Sequence, residues 1–204
     1  MPLRTPANQD IPSVSDWAPL VERFGGVDFV VGVTRRACEV ILEVYGRAHI
    51  NEQQKENGSP VSEADLAAAA LIERELAVTG IPVVCEESVS ADSQAAPLFW
   101  LVDPLDGTKE FLAKNGEFTV NIALVSEGAP VLGVIGIPVT GEIYAAVKGA
   151  GALRIEGESV ASIRNTRSTK SLVAAVSRSH ASDAGDGWLE QQGVSDRIRC
   201  GSAI

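Results

Sequence analysis

Two short runs, Ile81–Cys85 and Leu98–Val102, are almost wholly apolar, and each leads directly into carboxylates. Glu86 and Glu87 follow the first; Asp103 and Asp106 follow the second. Runs of this length and composition fit strands buried on both faces. Helical spacing precedes them. Val33, Ala37, Val40, Ile41 and Val44 predict a helix over Asp28–Tyr45, with Gly46 behind it. Asn51–Ser59 reads as a loop. Ser62 stands ahead of Asp65 as in a capping box, opening a helix to Val78 that Gly80 stops. Further strands are predicted at Phe118–Val125 and Val131–Ile137, joined by the turn Ser126-Glu127-Gly128, and at Glu142–Val147. The stretch 149–170 is rich in Gly and Ser with a short strand signal. Leu172–Val176 and Arg197–Cys200 read as strands and Ser182–Gln192 as a helix. Helices first, then strands interleaved with helices, predict a layered α/β or α+β fold. One domain is expected over 28–204, behind a loose tail over 1–27.

Charge narrows the choice of ligand. With 17 Lys and Arg against 27 Asp and Glu, the 204-residue chain carries a formal charge of −10. Such a chain repels phosphate backbones and anionic lipid, so a nucleic-acid polymer is not the expected partner. An anionic ligand needs a local device, such as a metal ion or a helix N-terminus. Cys38, Cys85 and Cys200 form no C-x-x-C pair and read as reduced thiols; with only His49 and His180 beside them, a structural zinc site is not expected. No secretory h-region opens the chain, and Ala129–Val139 is far shorter than a membrane helix of ~20 residues. The expectation is a soluble cytoplasmic protein.

The segment Trp100–Thr108 is the informative one. An apolar strand delivers Asp103 at its end, Pro104 is expected to turn the chain, and Asp106-Gly107 complete the turn into a short helix at Thr108. The spacing fits neither an EF-hand, which needs D-x-[DN]-x-[DN]-G, nor the haloacid-dehalogenase nucleophile, whose second Asp follows two residues after the first. If the two apolar strands are neighbours, Glu86 and Glu87 lie beside Asp103 and Asp106. Like charges so placed are costly without a cation among them. Hard oxygen donors favour Mg²⁺ over zinc or copper. The helix start at Gly107-Thr108 offers N–H groups to a phosphate oxygen. Carboxylates for metal and N–H groups for an anion together describe a metal-dependent phosphatase. Taken singly, the same residues also read as an Asx turn with solvated glutamates, Asp65 and Thr108 as helix caps, Lys109 as a surface charge and His180 as a solvated loop residue.

PVSEAD at 60–65, EES at 86–88 and FWLVDPLDGTKEF at 99–111 resemble the inositol monophosphatase superfamily. NGEFTVNIALV at 115–125, SRSH at 177–180 and the pair Lys109-Glu110 narrow the resemblance to the CysQ-type 3'(2'),5'-bisphosphate nucleotidases. The likeness runs from about Phe29 to Ile204 and implies the layered αβαβα sugar-phosphatase fold. It implies Mg²⁺ ligation by Glu86, Asp103, Asp106 and the Leu105 carbonyl, with Asp103 bridging two ions. Thr108 would hold the nucleophilic water and donate to Asp65, and Gly107 and Thr108 N–H groups would cradle the phosphate. His180 and Ser202 would contact the nucleotide. The implied reaction is hydrolysis of 3'-phosphoadenosine 5'-phosphate to AMP and phosphate, a nucleotide-recycling step of sulfur assimilation. An inositol or sugar phosphatase, or an inactive metal- or nucleotide-binding remnant, is the alternative. Relatives in this superfamily continue beyond the segment matching Cys200-Gly201-Ser202 with a W-D motif, so the fold is expected to lack its C-terminal part here. On that expectation the chain binds one divalent ion and turns over poorly. Peripheral inner-membrane association is implied by the family alone.

Overall fold

The structure is a computed structural model that describes residues 22, 25–54, 60–88, 96–164, 172–178, 183–194 and 196–202. Helix α1 (Gly26–Tyr45) and helix α2 (Glu63–Leu76) follow the helical spacing, α1 starting slightly ahead of its expected Asp28. Between them Asn51–Ser59 is not simply a loop, since β1 (Glu52–Gln54) pairs antiparallel with β2 (Pro60–Ser62). These strands are polar and short, so they carry no apolar alternation to betray them. A 3₁₀ turn (Ala77–Thr79) follows α2 and ends at Gly80 in the left-handed conformation, as its stop position demands.

Seven strands form the main sheet in the order β3-β4-β5-β6-β7-β8-β9. They are β3 (Val83–Cys85), β4 (Leu98–Asp106), β5 (Thr119–Ser126), β6 (Ala129–Ile137), β7 (Glu142–Val147), β8 (Gly151–Glu156) and β9 (Ser159–Ile163). Only β3 and β4 are parallel; the rest descend as antiparallel hairpins. Glu127 and Gly128 take positive φ in the β5–β6 turn, the left-handed pair that a tight hairpin requires. The Gly- and Ser-rich stretch holds a full hairpin, β8–β9, beyond its short strand signal. A second, parallel sheet pairs β10 (Val173–Ser177) with β11 (Asp196–Cys200), connected through helix α4 (Asp183–Gln191). This is the βαβ connection that parallel pairing needs.

One face of the main sheet packs on the helices, α2 over β3 and β4, α1 across β5 to β7. Trp100, Val102, Ile122, Leu124, Leu132, Val134 and Ile143 point into this core with Val30, Val33, Ile41, Ile72 and Leu76. Helix α1 comes close to the sheet at Gly136, where an added Cβ would lie 2.6 Å from Thr34 Cγ2 and 2.8 Å from Cys38 Sγ. Trp100 Nε1 donates to Thr79 Oγ1 at 3.1 Å, so the buried indole is paired. The expectation of strands buried on both faces fails at β4, where Leu101 is 47% exposed between buried Trp100 and Val102. An apolar residue on the open face hides the alternation from a sequence reading. In the second sheet Val173 and Ile198 are likewise exposed, as is Leu172 just before it. Among the described residues no helix is long and apolar enough to cross a membrane.

Candidate active site

The site is built where β3, β4, α2 and the second sheet meet. Cys85 pairs with Val102 in the parallel β3–β4 register, so the next residues, Glu86 just past β3 and Asp103 within β4, stand side by side. Glu86 opens a 3₁₀ turn through Ser88. Beyond Asp103 the chain does not turn at Pro104 as expected. Strand β4 continues to Asp106, and the register shifts between the pairs Asp103↔Asn121 and Asp106↔Thr119. The extra residue forms a bulge, where proline's missing N–H deprives no ladder partner. Leu105 N–H donates back to Asp103 Oδ1 at 3.2 Å, so an Asx turn is present and serves to hold the carboxylate.

Gly107 then starts helix α3 (Thr108–Leu112). Its φ of 91° is left-handed, and a Cβ there would lie 3.0 Å from the Glu117 carbonyl oxygen and 3.1 Å from Ser202 Cβ. Both conformation and space demand glycine. Below α3, Phe111 and Phe118 are fully buried, and their rings meet edge-on at 5.2 Å with Tyr45 completing the cluster. Each such phenyl contributes about 1.5–3 kcal/mol, which anchors the short helix that could not stand alone.

Asp65 approaches from α2. It is 1% exposed and completes the capping box. Its Oδ2 accepts from Ser62 N at 2.8 Å and from Ser62 Oγ at 2.6 Å. Its Oδ1 accepts from Thr108 Oγ1 at 3.0 Å. One carboxylate therefore caps a helix and grips the residue that starts another. Burial pushes the Asp65 carboxyl above its usual range, against the pull of the Ser62 and Thr108 bonds.

Asp103 carries the strongest electrostatic signature. Burial first, then the charges of Glu86 and Asp106, raise its carboxyl to about 7, and it also shares a hydrogen bond with Glu86. A proton between two carboxyls cancels a repulsion that a cation would cancel better. The donors are hard oxygens throughout, so the residues present fit Mg²⁺. Among the described residues no three His, Cys, Asp or Glu side chains close on one point. Glu86 lies instead between two concavities. One, of about 290 Å³, is lined by Asp106, Gly107, Thr108, Ser177 and Ser202; the other, of about 610 Å³, runs from Asp103 and Asn121 along the open sheet face past Leu101 and Ala123.

Residues 26–203 match the inositol monophosphatase family. This chain belongs to that family. Its match includes 3'(2'),5'-bisphosphate nucleotidase CysQ of Salmonella typhimurium, 39% identical over 180 residues, covering 86% of this chain and 72% of the relative. The protein of the same name from Escherichia coli (strain K12) is 37% identical, over 87% of this chain and 74% of the relative. Among solved structures, CysQ from Bacteroides thetaiotaomicron, described as a bacterial member of the inositol monophosphatase family, superposes with a TM-score of 0.72. It is 31% identical, over 86% of this chain and 72% of that one. The family's mixed helix-and-sheet fold is thus the fold of this chain.

Of the expected site residues, the structure brings Asp65, Glu86, Asp103, Leu105, Asp106, Gly107, Thr108 and Ser202 to one end of β4. His180 lies outside the described residues. Ser202 lines the smaller cleft, and its Oγ donates to Asp106 Oδ2 at 2.5 Å and lies 2.8 Å from Thr119 Oγ1. Thr119, Asn121, Glu117 and Arg178, which the sequence motifs do not single out, also stand around these residues. The i, i+2 placement of Thr119 and Asn121 on β5, opposite Asp106 and Asp103, was the available signal.

Proposed function

We propose that this chain hydrolyses the 3'-phosphate of 3'-phosphoadenosine 5'-phosphate, giving AMP and inorganic phosphate. The observation that carries the reading is the Thr108–Asp65 hydrogen bond standing beside the Glu86, Asp103 and Asp106 carboxylates. The choice of substrate is supported by the relatives at 37–39% identity, which are named 3'(2'),5'-bisphosphate nucleotidases.

Glu86, Asp103, Asp106 and the Leu105 carbonyl would hold Mg²⁺. When bound, Mg²⁺ supplies the positive charge that an acidic chain lacks toward phosphate and makes water more acidic. Thr108 Oγ1 spends its proton on Asp65, so its lone pairs accept from the attacking water and orient it. A proton passed on through Thr108 finds Asp65 already biased by burial to receive it. The Gly107 and Thr108 N–H groups at the start of α3 face the phosphate oxygens. As water's oxygen bonds to phosphorus, the bond to the 3'-oxygen breaks; one water proton stays on the phosphate, and the one taken up by Asp65 returns through solvent to the 3'-oxygen, which leaves as the free hydroxyl. His180 and Ser202 complete the substrate side in this reading.

Phosphate release from 3'-phosphoadenosine 5'-phosphate and from inositol monophosphate, at equal Mg²⁺, tests it. The nucleotide is expected to give the higher kcat/KM. An inositol monophosphate value equal or higher would assign the site to inositol phosphates instead.

A further inference from the structure

Arg178 follows β10, and its guanidinium makes three hydrogen bonds to protein through Nε and Nη2. Nε donates to Glu117 Oε2 at 2.7 Å and Nη2 to Glu117 Oε1 at 2.6 Å, a forked ion pair. Nη2 also donates to the Arg199 carbonyl at 2.9 Å, and Arg178 N–H donates to the Cys200 carbonyl at 2.8 Å. Arg178 therefore grips both the end of β11 and the loop ahead of β5. Glu117 holds a second partner: its Oε2 accepts from Gly201 N–H at 2.8 Å. Gly201 is pressed between two acidic stems, for an added Cβ would lie 2.5 Å from Glu110 Cγ and 3.0 Å from Glu117 Cβ.

The next residue is Ser202, held at φ 55°, a left-handed conformation that a serine adopts only under constraint. That conformation brings its Oγ onto Asp106 Oδ2. Each hydroxyl has one proton to give. With Ser202 donating to Asp106, its Oγ lies 2.8 Å from Thr119 Oγ1, which in turn donates to Asn121 Oδ1 at 3.1 Å. The row thus occupies Asp106 Oδ2 and leaves Oδ1 for another partner.

We propose that Arg178, Glu117 and Gly201 form a clamp that seats the Ser202 hydroxyl on Asp106, making Arg178 a positioning residue for a metal-binding carboxylate. The clamp joins the second sheet to the first beside the cleft that Ser177 and Ser202 line. An ion pair with an Arg side chain 45% exposed contributes little stability by itself, so its value lies in geometry. The inference rests on the assignment of Asp106 as a Mg²⁺ ligand made above. Outer partners of a metal ligand act by fixing its orientation, and their loss weakens metal binding by about 10–100-fold.

The test is calorimetric titration of the full chain with Mg²⁺ alone, with no substrate present. Arg178→Ala and Ser202→Ala should each weaken Mg²⁺ binding by roughly tenfold. The double variant should bind no more weakly than Ser202→Ala, because both changes interrupt one route. Arg178→Lys keeps the charge but not the fork, so it should fall between wild type and Arg178→Ala; it also serves if the alanine variant fails to fold. At saturating Mg²⁺ any rise in KM for the nucleotide in Arg178→Lys should not exceed that in Ser202→Ala, because Ser202 is the contact that Arg178 seats. Mg²⁺ affinity within twofold of wild type in both Arg178 variants, or losses that multiply in the double variant, would overturn the clamp. A raised KM with unchanged Mg²⁺ affinity would make Arg178 a substrate contact instead. Failure of the wild type to bind Mg²⁺ would strike the metal assignment itself, a separate result.

Discussion

Thr108 Oγ1 donates to Asp65 Oδ1 at 3.0 Å although the two residues lie 43 positions apart in the chain. The bond joins the capping box of α2 to the first residue of α3. Thr108→Val keeps the shape and removes the hydroxyl. It should lower kcat by about 10²–10⁴-fold with little change in KM, and Thr108→Ser should recover most of the loss. Steady-state kinetics at saturating Mg²⁺ checks this; a change confined to KM would assign Thr108 to phosphate binding.

The Asp103 carboxyl, raised to about 7 by burial and by the charges of Glu86 and Asp106, gives the metal-free site a pH dependence. Its folded state holds the proton more tightly than the unfolded chain, where the group titrates near 3.8. Its stabilising contribution is complete below about pH 4 and is lost as pH rises through about 7. Asp65, also raised, acts in the same direction. Without metal, the Tm contribution of this site should therefore fall between pH 5 and 8. The increment that Mg²⁺ adds should grow over the same range, because the ion competes with the proton. Thermal melts with and without Mg²⁺ across that range measure both; an increment that shrinks as pH rises would contradict the assignment.

Gly107→Ala sets a Cβ 3.0 Å from the Glu117 carbonyl oxygen and 3.1 Å from Ser202 Cβ, at a φ of 91°. The strain should cost about 1–3 kcal/mol in denaturant unfolding. Because Ser202 is one of the displaced neighbours, Mg²⁺ binding should weaken as well.

Gly136→Ala is the contrasting case. Its Cβ would lie 2.6 Å from Thr34 Cγ2 and 2.8 Å from Cys38 Sγ, on the helix-packed side of the sheet. A similar loss of about 1–3 kcal/mol is expected, but with Mg²⁺ affinity unchanged. Equal effects of the two glycine variants on Mg²⁺ binding would mean that the site merely follows global stability.

The helices and the hairpins from β5 to β7 were legible because each advertises itself locally, by apolar spacing or by a turn such as Ser126-Glu127-Gly128. The carboxylate cluster was legible because apolar runs point at it from both strands. The polar β1–β2 pair was not, since its register is set by pairing and not by an apolar face. The bulge at Pro104 misled because a proline's effect depends on whether its ladder position needs a donor, which pairing alone decides. Glu117 and Arg178 lie 61 positions apart, and a charged pair so distant leaves no mark in either local sequence.

The most direct test of the carboxylate cluster is calorimetric Mg²⁺ binding at pH 7 in buffers of different ionisation enthalpy. With Asp103 near the midpoint of its titration, binding should release on the order of half a proton, falling to nothing above about pH 9. Asp103→Asn should abolish both the release and most of the binding. Proton-neutral binding at pH 7, or an Asp103→Asn variant that binds Mg²⁺ as wild type does, would contradict a metal centre built on Asp103.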